Sequence, residues 1–205
     1  MGKLIENYYL EPTKVKWLLS RTNDQWLKMA IANPIEVLVD HAHCERKAAG
    51  AAVQLMFRYL CEPGLAEVLS PLVREELEHF ERVLNLLISR GEYLKPLPAP
   101  PYGALLAKAI RKDEPYRMLD SFLISGLIEA RSHERMSLLA MHSPDPELSC
   151  LYSDLLESEA RHFGIYWQLA SERFNKETIL LRIKDLAKIE SGILAELHPE
   201  PRMHS

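Results

Sequence analysis

The sequence predicts an all-α fold: a four-helix bundle with a long crossover between its second and third helices and a flanking helix at each end. Three observations favour it. Eight glycines in 205 residues are too few for a turn-rich β protein. No stretch alternates apolar and polar residues as a strand would. Four segments instead repeat apolar residues at intervals of three and four, which places these residues on one helical face.

The first half of the chain is predicted to contain three helices. An N-terminal extension, residues 1–32, is expected to form one short helix over residues 12–32. The first bundle helix is expected to begin at Asn33-Pro34, because asparagine is a favoured N-cap and proline suits the first helical position. It should end near Leu60. The second bundle helix is predicted over residues 65–90, ending before Gly91.

Residues 92–115 are rich in proline and too long for a tight helical hairpin. They are predicted to form the crossover that joins two parallel helices of the bundle. The third helix is expected over residues 115–142 and the fourth from Pro146 to about Phe174. We place the bundle at residues 33–174 and a last helix and tail at 175–205, with residues 199–205 frayed. The chain length suits a single domain.

One motif occurs twice, and it gives the strongest functional signal. Residues 76–80 and 159–163 both read Glu-x-x-His-Phe. Glutamate and histidine three residues apart lie on one helical face, so both can reach the same metal ion. One copy would be weak evidence, because both residue types are common in helices.

Each copy follows a single glutamate in an apolar stripe about thirty residues upstream, Glu45 and Glu129. Four helices carrying Glu, Glu-x-x-His, Glu and Glu-x-x-His supply the ligands of a carboxylate-bridged di-iron or di-manganese centre, as in ferritin-like bundles. The predicted ligands are Glu45, Glu76, His79, Glu129, Glu159 and His162. Buried unpaired carboxylates are costly, and two divalent ions would compensate four of them. The repeat predicts a pseudo-two-fold axis through the metal pair.

Two other glutamates were considered as ligands. Glu36 falls three residues after Asn33, where a capping-box glutamate is expected, and it lies about 13 Å of helix from Glu45. Glu134 lies off the apolar stripe of the third helix. His133, Tyr152 and Tyr166 share faces with the predicted ligands, so they are candidates for the surroundings of the metals or for a substrate pocket. Core packing is the commoner role for such residues.

The segments around Glu45 (His41–Ala49) and Glu129 (Glu129–Arg135), with the repeated motif and the chain length, resemble the bacterial tRNA hydroxylases that act on 2-methylthio-N6-isopentenyladenosine. The resemblance covers nearly the whole chain. It implies that the six predicted ligands bind two iron ions, and that the activity is O₂-dependent hydroxylation of the isopentenyl group beside the anticodon. It also implies tRNA as partner. With no flavin or nicotinamide motif, a separate reductase or ferredoxin is expected.

A net charge of −4 does not decide the partner, because four of the 29 acids are predicted ligands. Basic side chains near the crossover and the last helix are candidate phosphate contacts. They are Lys108, Arg111, Lys112, Arg173, Lys176, Arg182 and Lys184. An anticodon-loop base is already single-stranded and can be turned into a protein pocket.

Three cysteines without paired spacing favour a reducing cytoplasm, and no signal peptide or apolar run of membrane-spanning length is expected. Competing hypotheses are a ferritin-like ferroxidase or iron store, a di-metal peroxidase or catalase, and a non-catalytic helical module. The sequence leaves open whether the chain is a monomer or a dimer.

Overall fold

A computed structural model describes residues 15–204, in which all regular structure is helical. The helices are α1 (Asp24–Ala32), α2 (Pro34–Arg58), α3 (Leu65–Ser89), α4 (Tyr102–Lys108), α5 (Tyr116–His142), α6 (Pro146–Arg173) and α7 (Lys176–Ile193). The all-α prediction is confirmed, and the four bundle helices begin and end within two residues of their predicted bounds. None of the helices described is long and apolar enough to cross a membrane.

Two helical hairpins form the bundle. The most extensive packing is between α2 and α3 and between α5 and α6, with α3 also contacting α6. The proline-rich crossover from α3 to α5 contains the short helix α4, which packs against α7. Helix α7 also contacts α5 and α6, and α1 contacts α5 and α2. The flanking helices therefore cover the α5 side of the bundle.

The core is divided into two apolar clusters along the bundle axis. On α2, for example, Leu38 and Ala42 belong to one cluster and Ala52 and Leu55 to the other, with Glu45 between them. The other three bundle helices follow the same pattern. The polar residues predicted as ligands thus occupy a layer in the middle of the bundle, with an apolar cluster at each end.

Two expectations about the ends of elements were wrong, and a third was confirmed only in part. The N-terminal helix was predicted from residue 12, but residues 15–23 are not helical and residues 12–14 lie outside the described part. Asn33 precedes α2 as predicted, yet its side chain does not cap that helix and instead donates to the Met29 carbonyl. Residues 202–204 of the tail are not frayed: they are buried, because side chains of three helices bond their backbone and the His204 side chain.

Candidate metal centre

All six predicted ligands are buried, and the fold brings them together. Two groups of side chains place carboxylate oxygens and imidazole nitrogens within 4.8 Å of one another, and each could hold a metal ion. The first contains Glu45, Glu76, His79 and Glu159; the second contains Glu76, Glu129 and His162. Because Glu76 belongs to both, it is placed to bridge two ions. The imidazole rings of His79 and His162 lie 5.6 Å apart, centroid to centroid.

Both histidines turn Nδ1 into this cluster. His162 Nδ1 lies 2.7 Å from Glu76 Oε1, and His79 Nδ1 lies 3.5 Å from Glu45 Oε2 and 3.8 Å from Glu159 Oε1. The α-helical step of three residues produces this geometry, because it puts the histidine of each motif beside its own glutamate and opposite the other hairpin.

Five buried atoms of the cluster have no hydrogen bond of acceptable geometry within the described residues, although His162 Nδ1 and Glu76 Oε1 lie only 2.7 Å apart: Glu45 Oε2, Glu76 Oε1, Glu159 Oε1, His79 Nδ1 and His162 Nδ1. Unpartnered polar atoms are rare in protein interiors and costly. These atoms all face one another, and their types, carboxylate oxygen and imidazole nitrogen, are those that bind iron and manganese. The donor set therefore fits a pair of divalent metal ions.

Crowding of carboxylates shifts their pKa values. Burial, with repulsion from neighbouring carboxylates, raises the pKa of Glu129 to about 8 and the pKa values of Glu76 and Glu159 well above the usual range. Glu45 is the exception. Burial opposes its ionisation, but the attraction of His41 outweighs that effect and lowers its pKa. Without metal, Glu76, Glu129 and Glu159 therefore retain protons near neutral pH, whereas Glu45 is ionised.

Two polar neighbours of the cluster were not identified from the sequence. Glu75 Oε2 lies 2.9 Å from His162 Nε2, the ring nitrogen that faces away from the cluster. His41 Nε2 lies 2.5 Å from Glu45 Oε1. His41 carried a usable signal, because it stands four residues before Glu45 on the same helical face. No sequence signal pointed to Glu75, because its partner belongs to a different helix.

The three residues considered for the surroundings of the metals have different positions. Tyr166 is buried and lines an apolar cavity beside Glu129. Tyr152 is buried with its ring stacked on His41 at 5.5 Å. His133 is half-buried and belongs neither to the two candidate metal groups nor to the lining of that cavity. Glu134 bonds Thr22 and Arg131, and so serves packing between α5 and the segment before α1.

A cavity of about 330 Å³ opens beside the cluster and reaches Glu129. This volume lies at the small end of the range for ligand pockets. The lining is mostly apolar, with Ala48, Ala51, Ile128 and Tyr166 among its walls. Besides Glu129, the residues that supply polar atoms include Cys44, Lys47, Ser125 and His204. An apolar group placed here would lie next to the candidate metal centre.

The cavity adjoins a wider groove of about 840 Å³, and the two share Ala51, Gly103, Ser125 and Ile128. Within residues 15–204, five basic residues and no acidic residue line the groove: Arg58, Lys108, Arg111, Lys112 and Arg117. Three of the seven predicted phosphate contacts are therefore here. Sequence reasoning missed Arg58 and Arg117, which come from α2 and α5.

The remaining four predicted contacts lie outside the groove lining. Arg173 bonds the carbonyls of Pro63 and Leu169, and Arg182 bonds Asp120 and the Ala109 carbonyl. Both side chains thus hold elements of the fold together. Lys176 and Lys184 are exposed on α7.

Comparison with known proteins agrees with this arrangement. Residues 9–205 match the family model described as tRNA-(MS2IO6A)-hydroxylase (MiaE). The chain belongs to the MiaE family. This confirms the resemblance inferred from the motifs and identifies the chain as an enzyme of a tRNA hydroxylase family.

Two MiaE-family relatives are named tRNA 2-(methylsulfanyl)-N(6)-isopentenyladenosine(37) hydroxylase. The protein from Pseudomonas putida is 38% identical, with 90% of this chain and 89% of the relative covered. The protein from Salmonella typhimurium is 26% identical, covering 97% of this chain and 88% of the relative. A solved structure, described as protein 43 with aldehyde deformylating oxygenase activity from Synechococcus, is 64% identical. It superposes with a TM-score of 0.91 over 93% of this chain and 96% of its own, which supports the ferritin-like bundle.

Proposed function

We propose that this chain is a di-iron, O₂-dependent monooxygenase that hydroxylates the isopentenyl group of 2-methylthio-N6-isopentenyladenosine in tRNA. The observation that carries the proposal is the apolar cavity that reaches Glu129 on one side and opens into a basic groove on the other. An apolar group attached to a nucleic acid needs both environments. The substrate named for the two relatives has this chemistry.

Six side chains would hold the two iron ions: Glu45, Glu76, His79, Glu129, Glu159 and His162. Bound there, the ions would supply activation of O₂ and insertion of one oxygen atom into a C–H bond. Glu75 would orient His162 by accepting a hydrogen bond from Nε2, and this would fix which ring nitrogen binds metal. His41 would hold Glu45 by donating a hydrogen bond from Nε2 to Oε1.

The cavity would position the substrate and exclude water. Its apolar walls, including Ile128 and Ala51, would surround the isopentenyl group and place its carbon atoms beside Glu129. Exclusion of bulk water strengthens electrostatic interactions in the site and limits side reactions. No general acid or base beyond the metal ligands is needed from the chain in this proposal.

The basic groove would bind the phosphates that flank the modified adenosine. Lys112 and Arg58 are exposed at its walls, whereas Arg111 is half-exposed and also bonded to Asp120. Phosphate contacts of this kind release counterions, so affinity should fall as salt is raised. We therefore expect Arg58 and Lys112 to contribute more to tRNA binding than Lys176 or Lys184.

The test is hydroxylation of tRNA that carries the unhydroxylated nucleoside by the iron-loaded protein with a reductant, followed by mass spectrometry of the nucleosides. Appearance of the hydroxylated nucleoside is expected only with O₂ and iron present. The double variant Arg58→Glu/Lys112→Glu should raise KM for tRNA at least tenfold and flatten its salt dependence. Lys176→Glu/Lys184→Glu is the matched control. An unmodified nucleoside profile with active, metal-loaded protein would refute the proposed substrate.

A second candidate function is aldehyde deformylation, the activity in the description of the 64% identical structure. The apolar cavity beside the candidate metal centre would also accept an aliphatic aldehyde. Incubation of the same metal-loaded protein with aldehydes should then release formate and a hydrocarbon one carbon shorter. The basic groove has no role in that reaction, so the Arg58→Glu/Lys112→Glu variant separates the two candidates.

A separate electron donor, a reductase or a ferredoxin, remains a prediction. The other hypotheses have direct tests as well. An iron store would elute from a sizing column as a very large shell, and a catalase would decompose peroxide rapidly when loaded with manganese. We expect neither, and a monomer or dimer on the column.

A further inference from the structure

Residues 202–204 form a non-helical segment that the bundle holds by its backbone. Trp26 Nε1 donates to the Arg202 carbonyl at 2.9 Å, and the Met203 amide donates to Asp40 Oδ2 at 2.7 Å. The Arg135 guanidinium donates to the Met203 carbonyl at 2.6 Å. Side chains of α1, α2 and α5 therefore each bond one atom of the segment, and the whole segment is buried.

These bonds place the His204 ring at the edge of the apolar cavity. Nε2 lies 3.0 Å from Ser132 Oγ, and Nδ1 lies 3.6 Å from Cys44 Sγ. One ring face stacks on Tyr102, with centroids 5.1 Å apart and planes 8° from parallel. Contacts on both nitrogens and on one face leave the ring a single orientation.

The stacked pair separates two apolar spaces. Tyr102 and His204 line the cavity that reaches Glu129, and the same two residues line a second groove of about 230 Å³. Leu105, Ile193 and Leu197 are among the other walls of that groove. Among the described residues, only Tyr102 and His204 line both spaces, so their rings form the wall between them.

We propose that the Tyr102–His204 pair limits the length of the apolar chain that the cavity admits, which makes His204 a specificity-determining residue. The inference rests on the proposed function only in taking the cavity as the substrate site. A short branched group such as isopentenyl would fill the cavity up to the pair. Removal of the imidazole would join the cavity to the 230 Å³ groove and admit longer chains.

The experiment measures equilibrium binding of straight-chain 1-alkanols of increasing length to the full-length, metal-loaded protein by calorimetry. In the wild type, affinity should rise about fourfold per methylene and then stop rising when the chain reaches the pair. In His204→Ala the rise should continue over several further methylenes. His204→Phe keeps a flat ring against Tyr102 and should restore the wild-type limit, which is the alkanol length at which affinity stops rising.

Thermal unfolding establishes whether each variant is folded. Ser132→Ala, which removes the partner of Nε2, is a milder second variant that should extend the limit in the same direction. An unchanged limit in folded His204→Ala would overturn the proposal. Binding of 2-methylthio-N6-isopentenyladenosine to the same proteins is measured in parallel. If the alkanol limit shifts but the nucleoside does not bind, the proposed substrate is rejected, while the proposed role of the Tyr102–His204 pair is supported.

Discussion

At the scale of single residues, the two halves of the candidate metal centre differ in the residue that precedes each Glu-x-x-His motif. Glu75 precedes the first motif and bonds His162 across the bundle. Ser158 precedes the second, and its hydroxyl donates to the Leu155 carbonyl of its own helix. Burial lowers the pKa of His162, and the hydrogen bond to Glu75 opposes that effect. The His162 side of the centre therefore has a carboxylate support that Ser158 does not provide on the other side.

Glu75→Gln is expected to weaken binding of one of two metal ions by about 10–100-fold, the usual effect of losing a carboxylate that orients a histidine ligand. Calorimetric titration of the metal-free protein with Mn²⁺ would measure both sites. Glu78→Gln, an exposed change on the same helix, is the control. Equal weakening by both variants, or by neither, would contradict the role given to Glu75.

Gly126 shows how tightly α5 is packed. A Cβ atom there would lie 2.9 Å from the Trp17 ring and 3.2 Å from Tyr166 Cβ. The Trp17 ring is itself held against Phe163, at 4.1 Å between centroids, and against Trp167 at 4.9 Å. An added methyl group would thus have to displace an aromatic cluster beside the apolar cavity.

Gly126→Ala should lower the free energy of unfolding by about 1 kcal/mol, because an overpacking cost of about 1–3 kcal/mol exceeds the gain in helix propensity of up to about 1 kcal/mol. Gly50 is the matched control, since it is exposed on α2 and a Cβ there meets nothing within 4 Å. Gly50→Ala should stabilise the protein. Urea denaturation measures the change in the free energy of unfolding for both variants. A Gly126→Ala protein more stable than the wild type would disprove the clash.

At the scale of elements, one buried carboxylate connects the crossover, α5 and α7. Asp120 of α5 accepts hydrogen bonds from the Arg111 guanidinium at 2.7 and 2.9 Å and from Arg182 at 2.8 and 2.9 Å. Arg182 also donates to the Ala109 carbonyl at 2.7 Å. Burial raises the pKa of Asp120, but the two guanidinium groups outweigh burial and lower it. The charged form is therefore the one that the fold stabilises.

Asp120→Asn should lower the free energy of unfolding by on the order of 3 kcal/mol, because it leaves two arginines without their buried counter-charge. The lowered pKa gives this difference a pH dependence. It should be constant above about pH 4, the ordinary aspartate pKa, and shrink as pH falls towards the pKa of folded Asp120. Denaturation curves from pH 3 to 7 would measure it. Asp185→Asn, at an exposed aspartate paired with Lys188, should change little.

At the scale of the whole molecule, the carboxyl groups in the middle layer of the bundle make the stability of the metal-free protein depend on pH. With no metal bound, the pKa values of Glu76, Glu129 and Glu159 are raised, so the folded state holds more protons than the unfolded state between about pH 5 and 8. These three groups make stability fall as pH rises through that range, whereas His162 and His204, whose pKa values are lowered by burial, have the opposite effect near the ordinary histidine pKa of about 6.5. Glu45, whose pKa is lowered, is ionised in both states there and adds no slope.

We therefore expect the Tm of chelated protein to fall between about pH 7 and 8, where histidine is mostly neutral in both states, and the Tm of metal-loaded protein to fall much less, because metal replaces the protons. Thermal scans with and without Mn²⁺ at several pH values would measure this. Parallel curves would argue against a metal centre formed by these carboxylates. Glu78→Gln, outside the cluster, should leave both curves unchanged.

The sequence by itself determined the helices and the positions of the candidate ligands along them. Spacing within one helix is a local property, so Glu76 and His79 necessarily share a face, and apolar stripes state which face is buried. The same reasoning failed at the N-terminal helix, where residues 15–23 pack without helical structure. It also failed at residues 202–204, whose bonds are made by distant elements.

Only the tertiary structure decided what lies across the bundle. The Glu75–His162 contact joins residues 87 positions apart, and its existence depends on how α3 and α6 are rotated against each other. The basic groove collects side chains of α2, α4, the crossover and α5, and the wall of the apolar cavity includes His204 from beyond the last helix. Such sites depend on packing between elements, which periodicity within one element does not specify.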